Sequence, residues 1–322
     1  MGSSRLFATL VLPALALPAC SSSSSPAPGD GGSPPSRWAA AVGAHGTFTQ
    51  TFDEVSWASR SLGSVDWRAV ACVGNLDGWT AGSGGAVAHT TDGGATWTAQ
   101  QAGTTATLRA VRFASSTSGV FVGDGGTVGY TRDAGATWTL VAPLTTATLR
   151  AAAVAPSTGL TFVAGDSGTV LRSTDGGATW STATVAGAGS FTGIASDAAG
   201  TKVVAADSLG SIWSSNDQGA HFVVTATAPG PLQAISLSDD GNLGIAVGDR
   251  GVLMVDPGTG SWTAARSGTT SDLHAVVVMD SANDRIYAAG ETGALLSSAD
   301  RGVTWSAQPS NTTAALYALD DL

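Results

Sequence analysis

Ser173-Thr174-Asp175-Gly176-Gly177-Ala178-Thr179-Trp180 is one copy of a recurring phrase, and its recurrence decides the fold. Thr90-Thr91-Asp92-Gly93-Gly94-Ala95-Thr96-Trp97 and Thr131-Arg132-Asp133-Ala134-Gly135-Ala136-Thr137-Trp138 repeat it closely. Ser215-Asn216-Asp217-Gln218-Gly219-Ala220-His221-Phe222 exchanges the aromatic, Ser298-Ala299-Asp300-Arg301-Gly302-Val303-Thr304-Trp305 is regular, and residues 256–262 form an eroded copy ending at Trp262. A seventh copy hides near the start, where Val42-Gly43-Ala44-His45-Gly46-Thr47-Phe48 runs into Trp57. The aligned aromatics are Trp57, Trp97, Trp138, Trp180, Phe222, Trp262 and Trp305, spaced by 40, 41, 42, 42, 40 and 43 residues. Such self-similarity marks an array in which each copy is one supersecondary unit that cannot bury its apolar face alone.

Composition fixes what those units are made of. The 322 residues include 43 glycines, with abundant Thr, Ser, Ala and Val and few Leu, Glu or Lys, which disfavours helices and favours short strands with tight turns. The class is all-β. The formal charge is −10, or −11 without Arg5, so no basic field exists to hold a phosphate backbone and no nucleic-acid partner is expected.

Turns cut each repeat into four strands. Leu108-Arg109-Ala110-Val111-Arg112-Phe113 reads as the first, Gly119-Val120-Phe121-Val122 as the second, Thr127-Val128-Gly129-Tyr130 as the third, and a short fourth ends at Trp138. Seven four-stranded units make a seven-bladed β-propeller. Between strands two and three lies Gly123-Asp124-Gly125-Gly126, with relatives Gly165-Asp166-Ser167-Gly168, Gly248-Asp249-Arg250-Gly251 and Gly290-Glu291-Thr292-Gly293, whose glycines supply the positive φ of a tight hairpin. Gly123 to Gly129 could pass for a dinucleotide fingerprint, but no helix follows, and a phosphate loop needs a helix N-terminus behind it.

The recurring phrase sits between strands three and four. Its carboxylate and hydroxyl can satisfy the amides of their own turn, its glycine takes the left-handed conformation, and its tryptophan packs under the hairpin. Asp92, Asp133, Asp175, Asp217 and Asp300, with Trp97, Trp138, Trp180 and Trp305, are therefore structural. The first copy starts at Trp38 without its Leu-x-Ala-Val strand, and Leu316-Tyr317-Ala318-Leu319 is that strand without a blade. Pairing residues 316–319 with residues 39–42 would close the ring and leave no open edge.

Residues 1–19 have the layout of an export signal, with an apolar run over 6–17 too short to span a bilayer. They lead into Leu17-Pro18-Ala19-Cys20, which resembles the bacterial lipobox; the resemblance implies lipidation of Cys20, and Ser21 after it implies outer-membrane sorting. An ordinary cleaved secretory signal, giving a secreted or periplasmic protein, is the alternative. Residues 20–36 form a Ser/Pro/Gly tether, and 37–322 the propeller. Membrane contact is expected only through a lipid, and the propeller itself is expected to be a monomer. Cys72 falls inside a strand pattern with no base beside it and reads as an inert buried thiol.

The chain from residue 38 to 322 resembles the Asp-box (BNR) propellers of the sialidase superfamily. Its Val-Gly-x-x-Gly-x-Val-x-x-Ser/Thr-x-Asp-Gly-Gly-x-Thr-Trp pattern, seen over residues 163–180 with Ala164 intruding, is similar to the photosystem II assembly-factor propellers. An active sialidase would show an arginine triad and a tyrosine nucleophile with a partner glutamate. Here there are three tyrosines and two glutamates, Glu54 and Glu291, neither matched to a tyrosine in a recognisable motif, so the resemblance points away from that hydrolysis.

Strand direction alternates within a blade, so the Gly-Asp-x-Gly turns and the starts of the innermost strands share one face, the candidate binding face. The residue after the leading apolar one reads Arg68, Arg109, Arg150, Thr192, Gln233, His274 and Tyr317 around the ring. Three consecutive arginines offer forked donors for carboxylates, so this ring could hold an acidic protein segment or an acidic glycan. Alternatively, each arginine pairs with a turn carboxylate such as Asp124, Asp166 or Asp249. Asp66 and Asp272, two residues before their ring residues, are the best available carboxylate pair for an enzyme, and strand-start aspartates are commonly just solvated. His45, His89, His221 and His274 fall at unlike repeat positions, so no metal or other cofactor is expected. The sequence thus points to a non-enzymatic binding or assembly scaffold at the cell envelope; a glycan-binding or glycan-hydrolysing propeller is the alternative.

Overall fold

In a computed structural model the chain describes residues 39–53, 56–74, 76–279 and 285–321. The leader, Cys20, the tether, Trp38 and Glu54 lie outside them. The described residues form seven four-stranded antiparallel sheets. Going round the ring, the innermost strands are Leu316–Asp321 in blade 1, Trp67–Val73 in blade 2, Leu108–Phe113 in blade 3, Leu149–Val154 in blade 4, Phe191–Ser196 in blade 5, Leu232–Leu237 in blade 6 and Leu273–Val278 in blade 7. The only helical segments among the described residues are single 3-10 turns, and no helix is long and apolar enough to cross a membrane.

Ring closure follows the sequence. Blade 1 is assembled from both ends of the propeller, with Leu316–Asp321 antiparallel to Ala39–Gly43 in the register Ala41↔Leu319 and Val42↔Ala318. Leu316 and Leu319 are buried with Trp57 and Tyr287 in the cluster that joins blades 7 and 1. The first strand of blade 3 is Leu108–Phe113 as expected and the second, Gly119–Gly123, runs one residue past the expected end, but the outer strand is Thr139–Leu140 and follows Trp138 instead of ending there. The indole is turned into the protein at that point, stacked edge-on to Phe113, so pairing resumes only after it.

Among the described residues the core is not one cluster but seven, each lying between two blades, and the aligned aromatic of each blade packs on the blade before it. Trp97 of blade 2 joins Val42 and Phe48 of blade 1, its ring centroid 5.4 Å from Phe48. Trp180 of blade 4 sits with Val122 and Val128 of blade 3, and Trp305 of blade 7 with Ile245 and Val255 of blade 6. The tryptophan expected beneath its own hairpin is thus an inter-blade wedge. A flat sheet buried on both faces needs such apolar fillers, because neighbouring blades splay apart away from the axis.

The Asp-box aspartates hold their turns as expected. Asp175 Oδ1 accepts from the Thr179 amide at 2.9 Å and the Ser173 hydroxyl at 2.9 Å, Oδ2 accepts from the Thr179 hydroxyl at 2.7 Å, and Ser173 Oγ accepts from the Gly177 amide at 2.9 Å. Asp92, Asp133 and Asp300 repeat this with Thr96, Thr137 and Thr304, and Asp217 uses the imidazole of His221. The eroded copy in blade 6 is rebuilt: Asp256 takes the Ser/Thr position, and its buried carboxylate accepts from the Gly258 and Gly260 amides and meets Lys202 of blade 5 at 3.4 Å.

These bonds predict an acid response. Donation from the Thr179 amide and hydroxyl pulls the Asp175 carboxyl down to about 2, and the carboxyls of Asp133, Asp217 and Asp300 are lowered by the same kind of bonds. A carboxyl depressed by folding stabilises above the ordinary carboxylate range and loses that contribution as pH falls through the folded value. The unfolding midpoint of the wild type should therefore fall between about pH 4 and pH 2, and Asp175→Asn should flatten part of that fall. Thermal melts across this range read both; parallel curves would refute it.

Candidate functional site

The seven ring residues come together at one mouth of the central channel, where they line a cavity of about 110 Å³. A shared backbone device aims them. In blade 2 Trp67 pairs with Gly82 and Ala69 with Ala81, so Arg68 is an extra residue in the ladder, and the same register shift leaves Arg109, Arg150, Thr192, Gln233, His274 and Tyr317 unpaired in their blades. A β-bulge re-aims a side chain at the cost of one pairing. The sequence reading found the ring positions but missed the bulges. Their signal, in blades 2, 3, 5 and 7, is the run of two buried residues after the ring residue, such as Ala110-Val111 and Ala275-Val276, which breaks strict alternation.

The bulge also corrects the reading of the first turn glycine. Gly123 and Gly290 have φ of −169° and −170°, extended backbone open to any residue, so positive φ is not their reason. A Cβ on Gly123 would stand 2.2 Å from the Thr107 carbonyl oxygen, and one on Gly290 1.9 Å from that of Asp272, because the bulged inner strand presses against them. Positive φ falls instead on the last two residues of the turn in every blade but blade 5, as at Thr292 and Gly293. Blade 5 differs: Asp207 replaces the glycine, is wholly buried, and accepts from the Leu209 and Ser211 amides and the Trp213 indole at 2.8–2.9 Å.

In four blades the ring residue bonds to the acid that opens its own blade's turn. Arg109 grips Asp124 through Nε and Nη2, and Arg150 grips Asp166 at 2.6 and 3.3 Å. The Arg150 bond is the leading cause that holds the Asp166 carboxyl below its usual value. Gln233 donates to Asp249 at 2.8 Å, and His274 Nε2 lies 2.9 Å from Glu291. The pairing with turn carboxylates therefore holds for Arg109 and Arg150, while Asp249 serves Gln233. Thr192 donates to the Leu232 carbonyl at 2.8 Å.

Arg68 is different. The place of the acid is taken by Ser83, and the guanidinium lies over the Tyr317 ring, 4.2 Å from its centroid, with Asp66 at 3.6 Å. Its Nε is buried with no hydrogen-bond partner among the described residues.

Asp66 and Asp272, the candidate carboxylate pair, each have one oxygen engaged by backbone. Each lends Oδ1 to a turn amide of the preceding blade, Asp66 to His45 at 2.8 Å and Asp272 to Arg250 at 2.7 Å, so both lock neighbouring blades. Among the described residues no group of three His, Cys, Asp or Glu side chains is placed to hold a metal. Cys72 is half-buried, and its amide donates at 2.7 Å to Asp320 deeper in the ring, a carboxyl that desolvation pushes up.

The family described as photosynthesis system II assembly factor YCF48 matches residues 70–320. Among solved structures, one titled "YCF48 bound to D1 peptide" superimposes with a TM-score of 0.63 at 18% identity, covering 80% of this chain and 86% of that one. Another, YCF48 from Cyanidioschyzon merolae, gives 0.62 at 18% identity, over 78% and 88% of the two chains. No curated protein matches the chain.

Proposed function

From the premise that this chain belongs to the photosynthesis system II assembly factor YCF48 family, we propose that its ring mouth holds a segment of a client protein. The protein is an assembly-factor-like propeller. The observation that carries the reading is the set of seven bulges. A repeated scaffold would be cheapest with seven unbroken ladders, yet every blade gives up one pairing to aim a side chain at the same opening. The arginines of blades 2–4 supply forked donors suited to carboxylates, and a structure of similar fold carries a bound D1 peptide. Binding by positioned donors needs no nucleophile or acid, in keeping with a non-catalytic role.

Titration of labelled D1 peptide tests it by fluorescence anisotropy. Wild type should bind saturably, and the Arg68→Ala/Arg109→Ala/Arg150→Ala variant should lose at least about tenfold in affinity, the equivalent of about 1.4 kcal/mol. Its melting temperature should fall by less than about 5 °C, since half-exposed ion pairs contribute little to stability. Equal affinity would remove the arginines from the site, and collapse of the fold would make them structural.

The proposal includes export with a lipid on Cys20, supported by the apolar run over residues 6–17 and the tether over 20–36. Metabolic labelling with a palmitate analogue should mark the wild type and leave Cys20→Ser unmarked; equal labelling of both would overturn it.

A further inference from the structure

Within the reading of the mouth as a client-segment site, we infer that Arg68 is the specificity-determining residue, the one ring arginine that takes the carboxylate of the bound segment. Arg109 and Arg150 carry equal formal charge but spend their Nε and Nη2 edges on Asp124 and Asp166. A guanidinium with its fork already filled by a carboxylate offers an incoming one only its remaining edge and half-cancelled charge. Arg68 has no such partner, because Ser83 stands at the turn position that carries Asp124 in blade 3 and Asp166 in blade 4. Its nearest carboxylate is Asp66 at 3.6 Å, beyond hydrogen-bond range, and that carboxylate already receives the His45 amide.

Two further observations point to a ligand. The Arg68 Nε–H is buried and without a partner, a state that costs free energy until an acceptor is supplied. The stack on Tyr317 holds the guanidinium flat, so little side-chain freedom is lost when the fork closes on a carboxylate. Tyr317 in the ring of blade 1 is thus a positioning residue for Arg68.

Reciprocal exchange of the turn residues tests the assignment with both arginines in place. The probe is a fluorescein-labelled, end-blocked (Gly-Glu)5 peptide, with (Gly-Gln)5 as the uncharged control. Wild type should bind the first and not the second. Ser83→Asp should weaken binding about as much as Arg68→Ala, on the order of tenfold, while Arg109→Ala and Arg150→Ala each stay within about threefold. Asp124→Ser should free Arg109 and tighten binding severalfold, whereas Asp249→Ser, which removes an acid from Gln233, should not. Melting curves report that each variant is folded. Equal tightening by Asp124→Ser and Asp249→Ser would reduce the effect to bulk charge and overturn the inference. So would Ser83→Asp at wild-type affinity, or no binding of the glutamate peptide; if D1 peptide still bound, the client-segment reading would stand without this assignment.

Discussion

Removal of residues 316–322 is expected to lower the unfolding midpoint by more than about 10 °C and to leave a chain that self-associates. The strand Leu316–Asp321 is the innermost strand of blade 1 and half of the ring's closure. Leu316 and Leu319, 0% and 3% exposed, fill the cluster between blades 7 and 1. Losing a buried leucine side chain costs about 2–5 kcal/mol, and in a domain of this size each kcal/mol moves the midpoint by about 2–4 °C. The deletion also strips Ala39–Gly43 of one neighbour and exposes a row of unpaired amides and carbonyls. Circular dichroism melts and size-exclusion chromatography measure the two effects. A monomer melting with the wild type would show that side-chain packing between blades closes the ring by itself.

The second large effect separates two kinds of glycine within one turn. Gly123→Ala should cost more than about 3 kcal/mol, because its Cβ would meet the Thr107 carbonyl oxygen at 2.2 Å and backbone cannot yield as a side chain can. The inner strand would have to retreat, taking with it the bulge that aims Arg109. Gly125→Ala, two residues on, places its Cβ in open space and bears only the penalty of φ at +64°, about 1–2 kcal/mol. Denaturant unfolding of the two variants gives the comparison directly. Similar losses would mean that dihedral strain, not the close approach of two strands, dictates glycine here.

The fold was legible because the repeat carries its own punctuation: aromatics near every 41 residues fixed the blade number, and an orphan strand at the end matched a missing one at the start. The mouth was legible as a set of positions, since ring residues follow one apolar residue in every blade. What each of them does was not. Arg68, Arg109 and Arg150 are equivalent by alignment, and only geometry shows two of them engaged by their own blades and one resting on Tyr317. The bulges were hidden because a bulge changes pairing without changing composition. The tryptophans misled slightly, as a local phrase suggests a local contact, whereas Trp97 and Trp180 reach back to the preceding blade. The family relation supports the assembly-scaffold reading and gives no support to the glycan alternative.

The pairing of Asp321 with Ala39 has a topological consequence. The two ends of the propeller are cross-strand neighbours in one antiparallel sheet, the arrangement that an ordinary two-residue hairpin joins. The architecture therefore has no privileged starting point: with such a splice, the chain could be cut in any outer loop and threaded in a new order while every ladder kept its neighbours. Permutants opened between blades would move the seam from within a sheet to the space between two sheets, where only side chains hold it. Comparing their unfolding rates would tell how much of the ring's durability is owed to stitching its seam with backbone.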